Sequence, residues 1–598
     1  MPQFKLLGVD QSILKPRFKQ EVTVEGLGDA KLLLVQVGKK LTAISPKCTH
    51  YGAPLVKGTL TSSGRIKCPW HGACFNATTG DIEDAPGLDA LHSFPVIVSG
   101  NDLIIEAEES QVKAFSRVPT YTCSQAVDND TVLVVGGGSG AIGAIEGLRE
   151  YGYTGKIVVL SKETHAPIDR TKLSKALSTD PDKLALRNLE FFKDLGVDFQ
   201  TSTVVKSIDF DGRSVSTEDG KIFKYNKIIL ATGATPRNLP LKGFKELGNI
   251  FVIRTINDAK AIVEAVGLEG GKNIVVIGSS FIGMEVANFL TGKNHKVTVI
   301  GMEKAPMERI MGSEIGTSFR AILEKKGVKF HMEASVEAAV ASSKLTLIHT
   351  PEHRCTGVRD VFYPNIIHPA ASNGSLVGTV VLKDGTSLEA DAVILGVGVA
   401  PVTDFAGNIP RETDGSLRVD ENFQICAVKD AYAIGDIATY PYKGPGSKSD
   451  LFVRIEHWNV AQNGGRSAAK HIATGKPADH FIPIFWSAIG IQLRYCGSTF
   501  GGYDDIVIQG NLEENKFVAY YTQGEIVVAV ASMQRDPLVM QCSELMRTNS
   551  MPRYVPYLTI VETLFLNLDM NDLIIIISLC SKTEIQKGVD VMEIEVPA

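Results

Sequence analysis

The stretch VLVVGGGSGAIGAIEGLRE, residues 132–150, decides how the largest part of the chain folds. Four apolar residues in a row read as a strand buried on both faces, the glycines as a tight turn, and the run after them as a helix. Gly136 and Gly138 take the first two positions of G-x-G-x-x-[GA], and Ala141 takes the third. The first two let the backbone approach a pyrophosphate at a helix N-terminus, while the third needs only a side chain small enough to pack. The next apolar run, KIVVLSKE, ends near Glu163, about where an acid meets a ribose hydroxyl. One motif of this kind is weak. A second copy, NIVVIGSSFIGMEVANFL at 273–290, makes the pattern that of two parallel α/β nucleotide-binding units. There Gly278 and Gly283 hold the outer positions and Ser280 replaces the middle glycine, so the pyrophosphate is expected slightly further out. After VTVI the ribose-acid position is Gly301, with Glu303 two residues later and Lys304 as the nearby cation. With no arginine nearby, NADH is favoured over NADPH, which stays the second choice.

Ahead of this region, residues 1 to about 108 read as short strands (KLLLVQV, KLTAIS, RIKC, NDLIIEA) separated by Gly, Asn and Pro turns. They enclose Cys48-Thr-His50 and Cys68-Pro-Trp-His71, seventeen residues apart. Two thiolates and two imidazoles suit a 2Fe–2S centre in which one iron takes both sulfurs and the other both nitrogens. A structural zinc ion accepts the same atoms and is the alternative. The alternating order C-x-H, C-x-x-H speaks for the cluster, since zinc fingers usually group their cysteines before their histidines. The full string CTHYGAPL…CPWHGACFN resembles the Rieske ferredoxin family over the whole first hundred residues. High-potential members carry a Cys–Cys staple where this chain has Ala53 and Trp70, and Ser and Tyr hydroxyls where it has Ala73 and Phe75. Fewer donors to the sulfurs predict a reduction potential near the low end of the Rieske range, about −150 mV. Cys74, without a partner in its loop, is expected to be a small buried residue.

Further strings extend the resemblance. Asp169-Arg170-Thr-Lys-Leu-Ser-Lys175 resembles a segment of ferredoxin-reductase-type flavoenzymes, and DAYAIGD, ending at Asp436, resembles their second flavin fingerprint. Glu456-His457-Trp458 and Trp486 resemble residues lining the flavin pocket. Residues 131–598 look like the apoptosis-inducing-factor and oxygenase-ferredoxin-reductase group, and with the Rieske domain in front the whole resembles the apoptosis-inducing factor 3 type. The resemblance implies FAD, a nicotinamide nucleotide and a 2Fe–2S cluster. It implies FAD contacts from Gly136, Gly138, Ala141, Glu163, Arg170, Lys175, Asp436 and Trp486, and nucleotide contacts from Gly278, Gly283 and Glu285. It also implies a catalytic pair, Lys175 with Glu285, beside the flavin. The redox-active disulfide of glutathione-reductase-like enzymes is not expected, because no cysteine lies between Cys123 and Cys355.

The expected fold class is multidomain: a small all-β Rieske domain, an α/β flavoprotein reductase with two dinucleotide-binding domains, and an α+β C-terminal cap. The boundaries are 1–108 for the Rieske domain, 109–130 for a linker, 131–250 and 400–475 for the split FAD domain, 251–399 for the NAD domain, and 476–598 for the cap. The expected function is an oxidoreductase passing electrons from NADH through FAD to the cluster and on to an unknown protein or small-molecule acceptor. The competing reading is an apoptosis-related signalling factor whose redox state switches its shape or partner.

Composition narrows the classes. The chain has 598 residues, 44% hydrophobic and 21% charged, an ordinary globular balance. Lys+Arg 61 against Asp+Glu 67 leaves a net charge of −6, so no basic field exists for nucleic acid. Nine cysteines in such a length are not a disulfide scaffold. The opening MPQFKLLGVDQSILKP has no signal-like apolar core, and Tyr557–Cys580 is broken by Glu562, Asp569 and Asp572, so no membrane span is expected. A cytoplasmic location is expected, with mitochondrial association and a homodimer left open. Two segments, about 344–370 and 553–580, interrupt the resembled pattern and are read as translated introns or surface insertions; transcript sequencing distinguishes the two.

Overall fold

The run KLLLVQV shows how the first hundred residues close on themselves. In the computed structural model, which describes residues 1–9, 12, 14–121, 130–343, 375–447 and 450–552, this run is the strand Lys31–Val37. Successive side chains of a strand point to opposite faces. Leu32 and Leu34 therefore join Leu6, Val22 and Leu103 inside a barrel, while Leu33 and Val35 join Leu55, Ile66 and Phe75 in a second core. Six strands close that barrel. Beside it, Thr59–Leu60, Arg65–Lys67, Cys74–Asn76 and Ile82–Asp84 form an antiparallel sheet carrying the Cys/His loops. Cys48 and Cys68 lie within the second core.

Residues 109–117, read above as the start of a linker, belong to this unit. The helix Glu109–Lys113 is held by a capping box between Glu108 and Gln111, and Arg117 returns to bridge Ala90 and to donate to the Leu91 carbonyl at 2.9 Å. A hydrophilic run can be ordered when its charges have partners far away in sequence.

Two parallel sheets follow. The first runs Val197–Gln200, Lys156–Leu160, Thr131–Val135, Lys227–Leu230, Ala431–Ala433. The second runs Ile250–Phe251, Ala392–Leu395, Asn273–Ile277, Lys296–Ile300, Lys329–His331. Val132–Val135 and Ile274–Ile277 are buried throughout, as central strands covered on both faces must be. The chain leaves the first sheet, builds the second, and returns with Ala431–Ala433. Last comes an antiparallel sheet of Ile484–Ala488, Gln492–Gly497, Ile526–Met533, Lys516–Gln523 and Asp505–Asn511, backed by the helix Leu538–Arg547.

Both interrupting segments, 344–370 and 553–580, lie outside the described residues. The hairpin that flanks the first one is formed: Val336–Ala341 pairs antiparallel with Val377–Leu382. Among the described residues no helix is long and apolar enough to cross a membrane.

Candidate functional site

The central strand of each parallel sheet, Thr131–Val135 and Asn273–Ile277, ends at a glycine whose backbone disfavours any side chain. Gly136 has φ +117° and Gly278 φ +106°. A Cβ on Gly136 would overlap the Ala231 carbonyl oxygen, and one on Gly278 that of Gly396. Each turn leads into a helix, Ser139–Glu150 and Phe281–Thr291, whose first N–H groups receive no side-chain cap. Uncapped donors at a helix N-terminus favour phosphate. A Cβ on Gly138 would meet nothing within 4 Å, which leaves the space a pyrophosphate requires. Ser280 turns its hydroxyl onto the Gly396 carbonyl at 3.2 Å and so spends its donor on the strand ends.

Both helix starts open into one cavity of about 2260 Å³. Gly136, Gly138, Glu163, Arg170, Lys175, Asp436 and Trp486 line it together with Gly278 and Glu285. Ala141 and Gly283 stand behind the wall. Ala141 is fully buried, and a Cβ on Gly283 would overlap the Gly278 carbonyl, so both act through packing. Glu163 meets Arg170 at 2.6 Å; burial pushes this carboxyl up, but the guanidinium beside it wins and holds it below its usual value. Glu303 pairs with Arg309 at 3.1 Å. An arginine therefore does stand at the end of the second ribose position. It was missed because the helix Glu308–Met311 folds it back from six residues away.

Glu285 lines the cavity and is buried. Its Oε2 accepts from Ser174 at 2.5 Å and from Lys175 at 3.1 Å, and its Oε1 accepts from Ser487 at 2.6 Å. Arg254, which the motifs did not reveal, donates to Asp436 at 2.9 Å and stands beside Gly233. His457 caps the helix Trp458–Thr474 by accepting from the Asn459 N–H at 3.3 Å. Burial, aided by Lys175, depresses it to about 3, so the imidazole stays neutral.

The four candidate cluster ligands, Cys48, His50, Cys68 and His71, gather behind this wall. The buried Cys48 and Cys68 thiols lie beside one another, and His50 Nδ1 lies 3.1 Å from His71 Nδ1. These donors therefore stand two and two, thiol beside thiol and imidazole beside imidazole. That is the division a two-iron centre needs. Burial depresses His50 to about 4 and His71 to about 2, leaving both imidazoles neutral, the form that binds metal. Ala73 and Phe75 are fully buried and bring no hydroxyl, and Cys74 is buried with its thiol pushed up by desolvation. His71 packs against Trp486 with ring centroids 4.5 Å apart, and Trp486 in turn meets His457 at 4.9 Å. Cavity and cluster loops thus share a wall one indole thick.

Residues 130–465 match the family described as pyridine nucleotide-disulphide oxidoreductase. The chain belongs to that family. Its residues 10–95 match the Rieske [2Fe-2S] domain, and 484–554 match the reductase C-terminal domain. This oxidoreductase is 38% identical over 529 residues to apoptosis-inducing factor 3 of Homo sapiens, across 87% of the chain and 80% of that protein. It is 31% identical to the rubredoxin-NAD(+) reductase of Ectopseudomonas oleovorans, across 65% of the chain and 92% of that protein. Among solved structures it is similar to the covalent putidaredoxin reductase–putidaredoxin complex, with TM-score 0.61 and 27% identity over 70% of the chain and 93% of that one. The oxidoreductase acts on NAD(P)H, uses FAD, and carries a 2Fe–2S cluster in a fused Rieske domain. Among the described residues no cysteine lines the cavity.

Proposed function

We propose that this oxidoreductase passes electrons from NADH through FAD to its own Rieske cluster and then singly to a protein or small-molecule acceptor. The observation that carries the reading is Trp486, which lines the nucleotide cavity on one face and touches a cluster-type histidine on the other. When bound, these groups supply hydride delivery, the split of an electron pair and one-electron storage, and that chemistry is their own.

The chain's part is placement. Gly136, Gly138, Asp436 and Arg254 would hold the FAD phosphates and ribityl chain, and Gly278, Gly283 and Glu303 the nicotinamide nucleotide. Lys175, fixed by Glu285, is the group we assign beside the flavin ring. Cys48, His50, Cys68 and His71 would hold the irons, while Trp486 and His457 keep water out of the gap. Glu303 favours NADH, because its carboxylate neutralises Arg309, the cation a 2′-phosphate would seek. The domain division 131–250 with 400–475, 251–399 and 476 onward follows the same reading, with the Rieske unit carried from 1–108 on to 117. Besides Cys48 and Cys68, the four other described cysteines carry free thiols, which fit a reducing compartment such as the cytoplasm.

Anaerobic titration of the loaded protein with NADH tests the proposal. Flavin absorbance should bleach, and the electron paramagnetic resonance of a reduced cluster should rise with it. A bleached flavin beside a cluster that stays oxidised at every NADH level would refute the path.

A further inference from the structure

The cluster domain meets the C-terminal reductase domain along a buried, charged seam. Lys67 immediately precedes the ligand Cys68, and its side chain is only 3% exposed. Its ammonium donates to Glu544 Oε1 at 2.8 Å, and the Glu544 side chain, on the helix Leu538–Arg547, has 0% exposure. The other oxygen of that carboxylate accepts from Arg65 at 3.2 Å and from Arg547 at 2.8 Å. Arg65 in turn bonds Glu83 at 2.8 Å and Asp84. Three cations thus face three anions, and Glu544 is the anion contributed by the reductase half.

The same helix also touches the ligand loop past its histidine. Gly72, at φ +78°, sits so close that a Cβ would fall 2.8 Å from Ile484 Cδ1 and 3.4 Å from Met540 Sδ. Between the clamped Lys67 and the packed Gly72 run only Cys68 to His71, and His71 is the residue against Trp486.

We infer that Glu544 is a positioning residue for electron transfer into the cluster: it seats the Cys68–His71 loop against Trp486. This rests on the electron path proposed above. Burial opposes a charge on Glu544, but Lys67, Arg65 and Arg547 hold it far below the usual carboxylate range, so the clamp is ionised at any working pH. Removing Glu544 leaves Lys67 only Asp84, 3.6 Å away and in its own domain, and cuts the tie to the reductase half; breaking a buried pair in this way is far costlier than losing a surface pair. The connecting segment keeps the two domains at high effective concentration, so losing Glu544 loosens the pose and does not part the domains.

Anaerobic stopped-flow with NADH on loaded wild type, Glu544→Gln and Glu544→Asp tests the inference, with small-angle scattering on the same samples. Flavin reduction should proceed at the wild-type rate in all three. Cluster reduction should slow by roughly tenfold or more in Glu544→Gln, the scale on which a broken buried pair weakens docking, and recover in part in Glu544→Asp. The radius of gyration of Glu544→Gln should stay at the wild-type value, because the domains remain together. Arg547→Glu, at a part-exposed position, unsettles the same carboxylate and serves if Glu544→Gln accumulates no folded protein; it should slow cluster reduction in the same way. Wild-type cluster-reduction rates in these variants overturn the positioning role, and so does a slowed rate accompanied by a larger radius of gyration, which would mean that the domains part. A wild-type protein whose cluster never accepts electrons from a bleached flavin overturns the path and leaves the seam a structural contact.

Discussion

A carboxylate as deep as Glu285 must be met by donors, and two segments supply them: Ser174 and Lys175 from one short helix, and Ser487 from the C-terminal sheet. The ammonium of Lys175 is 3.0 Å from Oε1, 3.1 Å from Oε2 and only partly exposed, so the bond is geometrically fixed and shielded from salt. Its position on the cavity wall is the ground on which we assign it beside the flavin ring. Lys175→Ala should slow flavin reduction by NADH roughly ten- to a hundredfold, the cost typical of a small misplacement of reacting groups. The cluster spectrum should be unaffected. Stopped-flow absorbance measures the first and electron paramagnetic resonance the second, and an unchanged bleaching rate removes the pair from the mechanism. Lys175 is legible from its motif, because D-R-x-x-L-S-K is a local string. Ser487 is not, since nothing in a strand sequence says which distant carboxylate its hydroxyl will reach.

At the scale of elements, the hairpin around residue 343 shows what the chain needs there and what it does not. Ser342 N–H donates to the Leu376 carbonyl at 2.8 Å, so the two ends of the strands already meet. Deleting 344–370 joins Ser343 to Ala371-Ser372-Asn373-Gly374, and an Asn-Gly pair is a strong hairpin signal. Shortening a closed loop this much should stabilise the fold by about 1–2 kcal/mol through lower closure entropy. The deletion variant should bind FAD, react with NADH at the wild-type rate and melt no lower than the full chain. An aggregated or flavin-free product would make the segment a working part of the domain. The repeated strand–glycine–helix units and the Cys/His loops were readable because they rest on local spacing. The order in residues 109–117 and the approach of Arg309 to Glu303 were not, because each depends on a partner that only the folded chain brings near. Glu544 is the extreme case: it bonds Lys67 across 477 positions from a helix whose own sequence signals only amphipathic packing.

The whole molecule is joined along more than the Glu544 seam. Ala85 of the Rieske domain donates its N–H to Asn463 at 2.8 Å and accepts from Asn459 at 2.9 Å, both on the helix Trp458–Thr474. Arg187 pairs with Asp89 at 2.7 Å and with Glu146 at 3.0 Å, tying the cluster domain to the first nucleotide-binding sheet. Tyr51, stacked on His50 at 3.9 Å, hydrogen-bonds Asp169 beside the flavin segment. These contacts come from three separate parts of the reductase, so no single hinge frees the Rieske domain. Undocking must instead break them together and strip the buried Lys67–Glu544 set of its partners. Partial unfolding of either half should therefore unfold the other. Anaerobic heating should bleach the cluster absorbance and release fluorescent flavin at one midpoint, coincident transitions being the mark of cooperative unfolding. A cluster lost well below the temperature of flavin release would mean that the two halves unfold separately, and that the cluster is held against Trp486 by a contact weaker than the seam described here.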